Sequence, residues 1–372
     1  MTNHSADLAL FDYLETQEEL FRKATLRLGA PSGKEALSGG AEWILDNYYL
    51  VQQTCRQIRE DMPPGFYRQL PQVDDGPLIG YARVYAIAQK LIAMDNAQFA
   101  LEHAQRFLQV YQNFAPLTIG ELWALPVMLR LGLIELLAQA VSRLSGLPRN
   151  NPLRGLPLRR ALSDDAIVAT CITSLRTLAA QDWQTFFESV SWVEQILRTD
   201  PAEAYARMDR ETRDRYRKVI EELAFATGAA EQAVAHEAIE WARANALTPR
   251  TTHVGYYLVD EGRVRLETQL GYCVPLRARW RRWVLRHPTR SYLGRIGVLA
   301  LLIVLGGMSY AQAAGGDFLQ WLVVSACLLI PALTLSVNFI NWIVTRTIPP
   351  RVLPKMDFET GIPSDAKTMV VV

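Results

Sequence analysis

Ile296 to Ala314 reads IGVLALLIVLGGMSYAQAA, 19 residues without a charged side chain. As an α-helix it is about 28 Å long, the thickness of a bilayer's hydrocarbon core. After Gly315, Gly316 and Asp317 a second uncharged run follows, Phe318 to Val344, FLQWLVVSACLLIPALTLSVNFINWIV. A three-residue gap leaves room only for an antiparallel turn, so the pair is expected as a helical hairpin across a membrane. Pro331 is a candidate kink, and Asn338 with Asn341 suggests a helix face packed on protein rather than lipid.

Upstream, Arg277, Arg279, Arg281, Arg282, Arg286, Arg290 and Arg295 precede the first run, and no acid lies between Glu267 and Asp317. Arg346, Arg351 and Lys355 follow the second run. Basic flanks on both outer ends and none in the turn place both termini in the cytoplasm by the positive-inside rule. Trp280 and Trp283, interleaved with the arginines, suit the headgroup level. An Arg/Trp stretch can also bind RNA, but beside an apolar run the lipid reading is favoured.

The remaining composition describes a folded soluble part joined to this membrane part. Of 372 residues, 39 are Lys or Arg and 38 Asp or Glu, a net charge of +1; half are hydrophobic and 21% charged. Those values exclude a disordered chain and disfavour a basic nucleic-acid binder. Cys55, Cys171, Cys273 and Cys327 lie far apart, without the spacing of a zinc site or a disulfide framework. Acids at Asp7, Asp12, Glu15, Glu18 and Glu19 interrupt the first 21 residues, which rules out a secretory signal there.

From Leu8 to Leu270 the pattern is helical. Ile44, Leu45, Tyr48, Val51, Cys55 and Ile58 form one apolar stripe. Thr118 is placed to cap a long apolar helix running to about Leu144 despite Pro126, Ser163 and Asp209 open further helices, and Asp200-Pro201-Ala202-Glu203 resembles a helix start. The fold class expected is all-α, a multi-helix cytoplasmic bundle followed by a two-helix transmembrane hairpin. Its parts are a poorly defined segment 1–40, a helical subdomain 41–145, a Pro/Gly/Asn-rich linker 146–160, a second subdomain 161–274, a basic juxtamembrane segment 275–295, the hairpin 296–344 and a cytoplasmic tail 345–372.

No residue set reads as catalytic, cofactor-binding or metal-binding. His236-Glu237 begins like a zinc helix, but the fifth position is Glu240. Gly29 to Glu35 lacks the spacing and the hydroxyl of a phosphate loop. Asp74-Asp75 and Asp164-Asp165 are paired carboxylates in a loop and a helix's first turn, Arg213, Arg215 and Arg217 read as a solvated helix face, and His253 sits beside the aromatic turn Gly255-Tyr256-Tyr257.

Several segments together resemble the N-terminal region of bacterial cyclic β-1,2-glucan synthases: Ala41-Glu-Trp-Ile-Leu-Asp-Asn-Tyr-Tyr-Leu50; Pro116-Leu-Thr-Ile-Gly-Glu-Leu-Trp-Ala-Leu-Pro126 with Arg130; Met208-Asp209 with Thr212 to Arg217; Thr252 to Leu258; and Asn341 to Val344 with Pro349 to Asp357. The likeness covers roughly Ser38 to the C-terminus. It implies a large multi-pass enzyme of the bacterial inner membrane that polymerises glucose from UDP-glucose on its own polypeptide, then cyclises the glucan. The transferase domain, with the divalent metal implied for it, and a phosphorylase-like domain would lie beyond residue 372 as partners of this region. The family's Q-x-x-R-W motif is absent, since Arg282-Trp283 would need glutamine at Arg279 and Arg279-Trp280 at Leu276. The apolar run Ala366 to Val372 reads as the first strand of a following α/β domain. The alternative is a membrane-tethered helical adaptor with no use for that strand. Neither reading includes nucleic acid as a partner.

Overall fold

The structure, a computed structural model, describes all residues except 1–3, 31–36, 64, 150–152, 154, 246–247, 349–351, 360 and 362–372. The expected strand at Ala366 to Val372 lies outside the described residues. The rest is all-helical as expected, with isolated bridges at Gln72–Ala82 and Met208–Met356 in place of any strand.

The N-terminal half contains α1 (His4–Leu28), α2 (Gly39–Asp46), α3 (Tyr48–Asp61), α4 (Phe66–Gln69), α5 (Arg83–Met94), α6 (Leu101–Gln112) and α7 (Ile119–Ser145). The apolar stripe from Ile44 to Ile58 is divided between two helices, because the chain bends at Asn47, whose buried side chain turns back onto the Trp43 carbonyl (2.8 Å). Within 1–40, α1 is firmly seated. Tyr13, Leu14, Phe21 and Ala24 are all buried, and the Tyr13 hydroxyl donates to Glu135 on α7.

α7 is the central post. Thr118 and Glu121 cap it reciprocally, Gly146 ends it in the left-handed conformation at φ +64°, and Pro126 is accommodated within it. Most of its residues are buried, and Gly132 lets α5 approach closely: a Cβ there would lie 2.6 Å from Ile92 and 2.8 Å from Gln89. Its N-terminus also receives the buried carboxylate of Glu231, which accepts the Ile119 N–H at 2.7 Å. Burial, with Glu221 and Glu121 nearby, outweighs that hydrogen bond and pushes the Glu231 carboxyl up from 4.5 to about 7. A raised folded-state value means that the stabilising proton is held fully below pH 4.5 and lost as the pH climbs through 7. Glu231→Gln is therefore expected to match the parent's unfolding free energy near pH 4 and exceed it at pH 8 by on the order of 2 kcal/mol. Urea titrations at the two pH values check this, and equal offsets at both would refute it.

The second half adds α8 (Asp164–Ala180), α9 (Trp183–Val190), α10 (Trp192–Leu197), α11 (Arg210–Thr227), α12 (Glu231–Ala244), α13 (Pro249–Thr252), α14 (Gly255–Val259) and α15 (Arg263–Gln269). Ser163 and Asp209 cap α8 and α11 as their residue types predict. Asp200 does not open a helix. Its carboxylate accepts the N–H groups of Ala204, Tyr205 and Val254 and meets His253 Nδ1 at 2.7 Å, so the chain makes a turn and a short 3₁₀ segment there.

One apolar core runs without a break from Tyr13 to Leu266, through helices on both sides of the expected linker. The described part of 146–160 is strapped along the bundle: Arg149 pairs with Glu135, the Arg159 N–H reaches the Ala93 carbonyl (3.1 Å), and the Arg160 N–H reaches Asn96 (2.7 Å). Leu147, Leu153, Leu156 and Leu158 pack on the core. A Pro/Gly-rich composition excludes regular structure there; it does not prevent a well-packed extended strap.

Candidate functional site

Beyond the bundle come α16 (Leu276–Arg286), α17 (Pro288–Ala313) and α18 (Phe318–Thr347). Among the described residues three helices are long and apolar enough to cross a membrane: α7, α17 and α18, with mean hydropathies of 1.6, 1.8 and 2.1. Two of these, α17 and α18, are the expected membrane runs, and α7 is a third. Position in the protein separates the third, since the most apolar window of α7 is 89% buried by the rest of the protein, against 11% and 17% for α17 and α18.

α17 and α18 lie side by side, antiparallel. Gly315 (φ +80°) makes the turn and Asp317 caps α18 in a box with Gln320. Ser291, Ile296 and Ala300 of α17 and Ala332, Ser336 and Ile340 of α18 are the buried positions along the pair. Gly307 sits so close to Leu328 that a Cβ would overlap its Cδ1 at 2.1 Å, the close approach that small residues allow between apolar helices. Asn341 accepts a hydrogen bond from Tyr292 (2.8 Å), while Asn338 is exposed. The outer faces expose Val298, Leu301, Leu302, Leu322, Val323, Ile330 and Phe339.

The basic segment forms α16 and the first turns of α17. Arg277, Arg279, Arg281, Arg286 and Arg290 are exposed together with Trp280 and Trp283. The Arg295 guanidinium lies 5.0 Å from the Trp280 ring centre, and Arg346 stacks on Trp342 at 5.4 Å. Arg282 alone turns inward, gripping Glu267 with two hydrogen bonds (2.5 and 2.7 Å), while Arg263 holds the same carboxylate at 2.7 Å. Burial raises the Glu267 carboxyl, but the two guanidiniums outweigh it and leave it below the usual carboxylate range. Arg282 therefore pins α16 to the bundle.

A contact that no sequence signal announced closes the region. After α18 the chain returns to the bundle, where the Asp209 N–H bonds the Lys355 carbonyl (3.0 Å), the Asp357 N–H bonds the Arg207 carbonyl (2.8 Å) and the Lys355 N–H bonds the Thr212 hydroxyl (3.0 Å). Both ends of the helix pair are thus tied to one body.

Most of the other sequence candidates have structural partners, and Gly29 to Glu35 lies largely outside the described residues. His236 and Glu240 are exposed, and Glu240 pairs with Arg243. Asp75 accepts the Gly76 N–H in a turn; Asp164 pairs with Arg143, and Asp165 accepts the Gly40 N–H. His253 bridges Asp200 and the Tyr216 hydroxyl (3.1 Å). Arg213 and Arg217 are not on a solvated face: both are buried against Glu188 and Glu194, and only Arg215 lies at the surface, paired with Glu211. Among the described residues no group of three His, Cys, Asp or Glu side chains is placed to hold a metal ion.

No family model matches the chain. It is similar to the cyclic β-(1,2)-glucan synthase NdvB of Rhizobium meliloti, 28% identical over 437 aligned positions that take in 96% of this chain. The chain spans 15% of the length of that relative. The likeness read from residues 41–50, 116–126, 208–217 and 252–258 thus extends over nearly the whole chain, and so short a share of the relative fits its N-terminal part.

Proposed function

We propose that this chain is the membrane-anchoring, non-catalytic N-terminal region of a cyclic β-1,2-glucan synthase that uses UDP-glucose, with α17 and α18 as a transmembrane hairpin in the bacterial inner membrane and the helical bundle on the cytoplasmic side. The observation that carries this reading is the contrast in burial among three helices that are each long and apolar enough to span. α7 spends its apolar surface on the core, whereas α17 and α18 leave theirs facing outward, an exposure that lipid would relieve. The return of the chain to Arg207–Thr212 favours both hairpin ends lying on the bundle's side of the bilayer, and the exposed arginines favour that side being cytoplasmic. Trp280, Trp283 and the arginines other than Arg282 would then sit among the lipid headgroups. The lipid bilayer and the enzyme's transferase and phosphorylase-like domains are the partners in this reading, and any divalent metal belongs to the transferase.

Topology reporters test it. Fusions at residues 1 and 372 should both report the cytoplasm and a tag at Gly316 the periplasm. Replacing the exposed arginines from Arg277 to Arg295 with glutamine should yield a mixed orientation, and Arg282→Gln alone should not. A cytoplasmic Gly316 tag would overturn the spanning hairpin. Glucose transfer from UDP-glucose by the purified chain would overturn the non-catalytic role.

A further inference from the structure

Two hollows of about 640 and 400 Å³ meet at Phe66 and Trp123 to form one elongated trough. It runs between α4, the first turns of α7 and α9, and α11. Its aromatic lining is Phe66, Trp123 and Trp183, residues brought together from three parts of the chain, all half-buried. Trp123 is held rigidly: Phe187 stacks on it at 4.7 Å with the rings 16° apart, and the Arg217 guanidinium lies 5.0 Å from the ring centre of Phe187.

The lining of the trough is balanced in charge. Its four basic side chains, Arg217 among them, face four acidic ones, and Lys218 pairs with Asp214 at 2.8 Å and Arg130 with Asp61 at 2.9 Å, so no net surplus of either sign is offered to a phosphate, a nucleotide or an acidic peptide. What remains open is hydrogen-bonding capacity. Arg217, 1% exposed, spends Nη1 on Glu194, but its Nε and Nη2 make no hydrogen bond, and the nearest carboxylate to Nη2 is Asp214 at 3.8 Å. A buried guanidinium with two unmet donors on the wall of a hollow marks a place for an acceptor from outside. The Gln184 amide lines the same hollow. Flat aromatic faces beside neutralised charges, an amide and unmet donors suit a ligand with apolar C–H faces and an uncharged rim of hydroxyls. A pyranose chain has that chemistry.

From this geometry we propose that the trough binds a neutral glucan chain, with sugar rings laid on Trp123 and Phe66 and hydroxyls bonded by Arg217 and Gln184. That the sugar is a glucan rests on the function proposed above; that it is neutral and ring-stacked rests on the trough. One rim of the trough is Glu211, whose carboxylate reaches Lys355 Nζ at 3.8 Å, so the groove ends where the chain coming back from α18 docks. A glucan held there would lie beside the connection to the hairpin.

The test uses the full 372-residue chain in lipid nanodiscs, titrated calorimetrically with linear β-1,2-linked glucopentaose and, separately, inorganic phosphate. The sugar should bind saturably and phosphate should neither bind nor compete. Gln184→Ala, at a partly exposed position, should weaken sugar binding about tenfold or more with an unchanged thermal midpoint, Phe66→Ala should weaken it as much while lowering the midpoint because the ring also packs on the core, and Trp123→Phe should weaken it less than Trp123→Ala. No sugar binding by a helical, membrane-inserted chain would overturn the trough and leave the anchoring reading intact. Binding that the Phe66 and Gln184 variants do not alter would also overturn it. Sugar binding, lost in those variants, by a chain that fails to float with lipid would support the trough while removing the anchor.

Discussion

Replacing Glu194 with alanine is expected to cost the bundle about 3–5 kcal/mol, the range for stranding a buried charge. Glu194 is fully buried and accepts four hydrogen bonds, from Arg217 Nη1 (2.9 Å), Arg198 Nε (2.9 Å), the Tyr205 hydroxyl (2.7 Å) and Arg213 Nη1 (3.3 Å). Without it Arg213 stays buried with Glu188 at 2.9 Å, and Arg217 with Glu188 and Asp214 no nearer than 3.9 and 3.8 Å. The energy at stake is less the attraction lost than the desolvation left uncompensated. Glu194→Gln keeps two acceptor positions and should lose roughly half as much. The triple replacement Glu194→Met, Arg213→Met, Arg217→Leu should recover most of the alanine variant's loss, because it removes the stranded charges. Urea midpoints of the helical circular dichroism signal in mild detergent decide the order. A loss below about 1 kcal/mol for Glu194→Ala would mean that water reaches the cluster and the arginines are not truly desolvated.

That cluster also marks where the sequence stops being readable. Thr118, Ser163 and Asp209 declare helix starts because a cap is a contact between residues three apart, and Gly146 and Gly228 declare helix ends because the left-handed conformation is a property of one residue. The two apolar runs declare themselves by length and hydropathy. Arg213 and Arg217, by contrast, look like any charged helix face until Glu188 and Glu194 arrive from α9 and α10 to bury them. Arg282 looks like its neighbouring arginines until Glu267 claims it. Asp200 has the residue type of a helix cap, yet its partner His253 lies 53 residues on. The trough is hidden for the same reason. Phe66, Trp123 and Trp183 are unremarkable core aromatics in the sequence and become one surface only when α4, α7 and α9 meet. Local chemistry is legible, and pairings across the chain are not.

The same limit applies to α7, and a second set of substitutions tests how it is resolved. Hydropathy does not distinguish a helix that crosses lipid from one that forms the centre of a bundle, since both hide apolar side chains from water. The charges on α7 argue for the bundle. Glu121, Arg130 and Glu135 each have a partner from elsewhere in the fold: Arg83 (2.6 Å), Asp61 (2.9 Å) and Arg149. Leu137 is fully buried, so Leu137→Ala should leave a cavity and cost about 2–5 kcal/mol in detergent, whereas Leu301→Ala on α17, where Leu301 is 57% exposed, should cost about 0.5 kcal/mol or less. Arginine reverses the roles in the bilayer. Leu301→Arg or Ile330→Arg should shift the insertion free energy by about 2.5–3.5 kcal/mol and release part of the chain from membranes, while Leu137→Ala, although unstable, should still float with lipid through α17 and α18. If Leu137→Ala were silent and Leu301→Ala severe, α7 would be facing lipid and α17 protein. The bundle would then have to open along α7, separating Tyr13 from Glu135 and Arg83 from Glu121, and leaving Glu121 without the guanidinium that allows its burial.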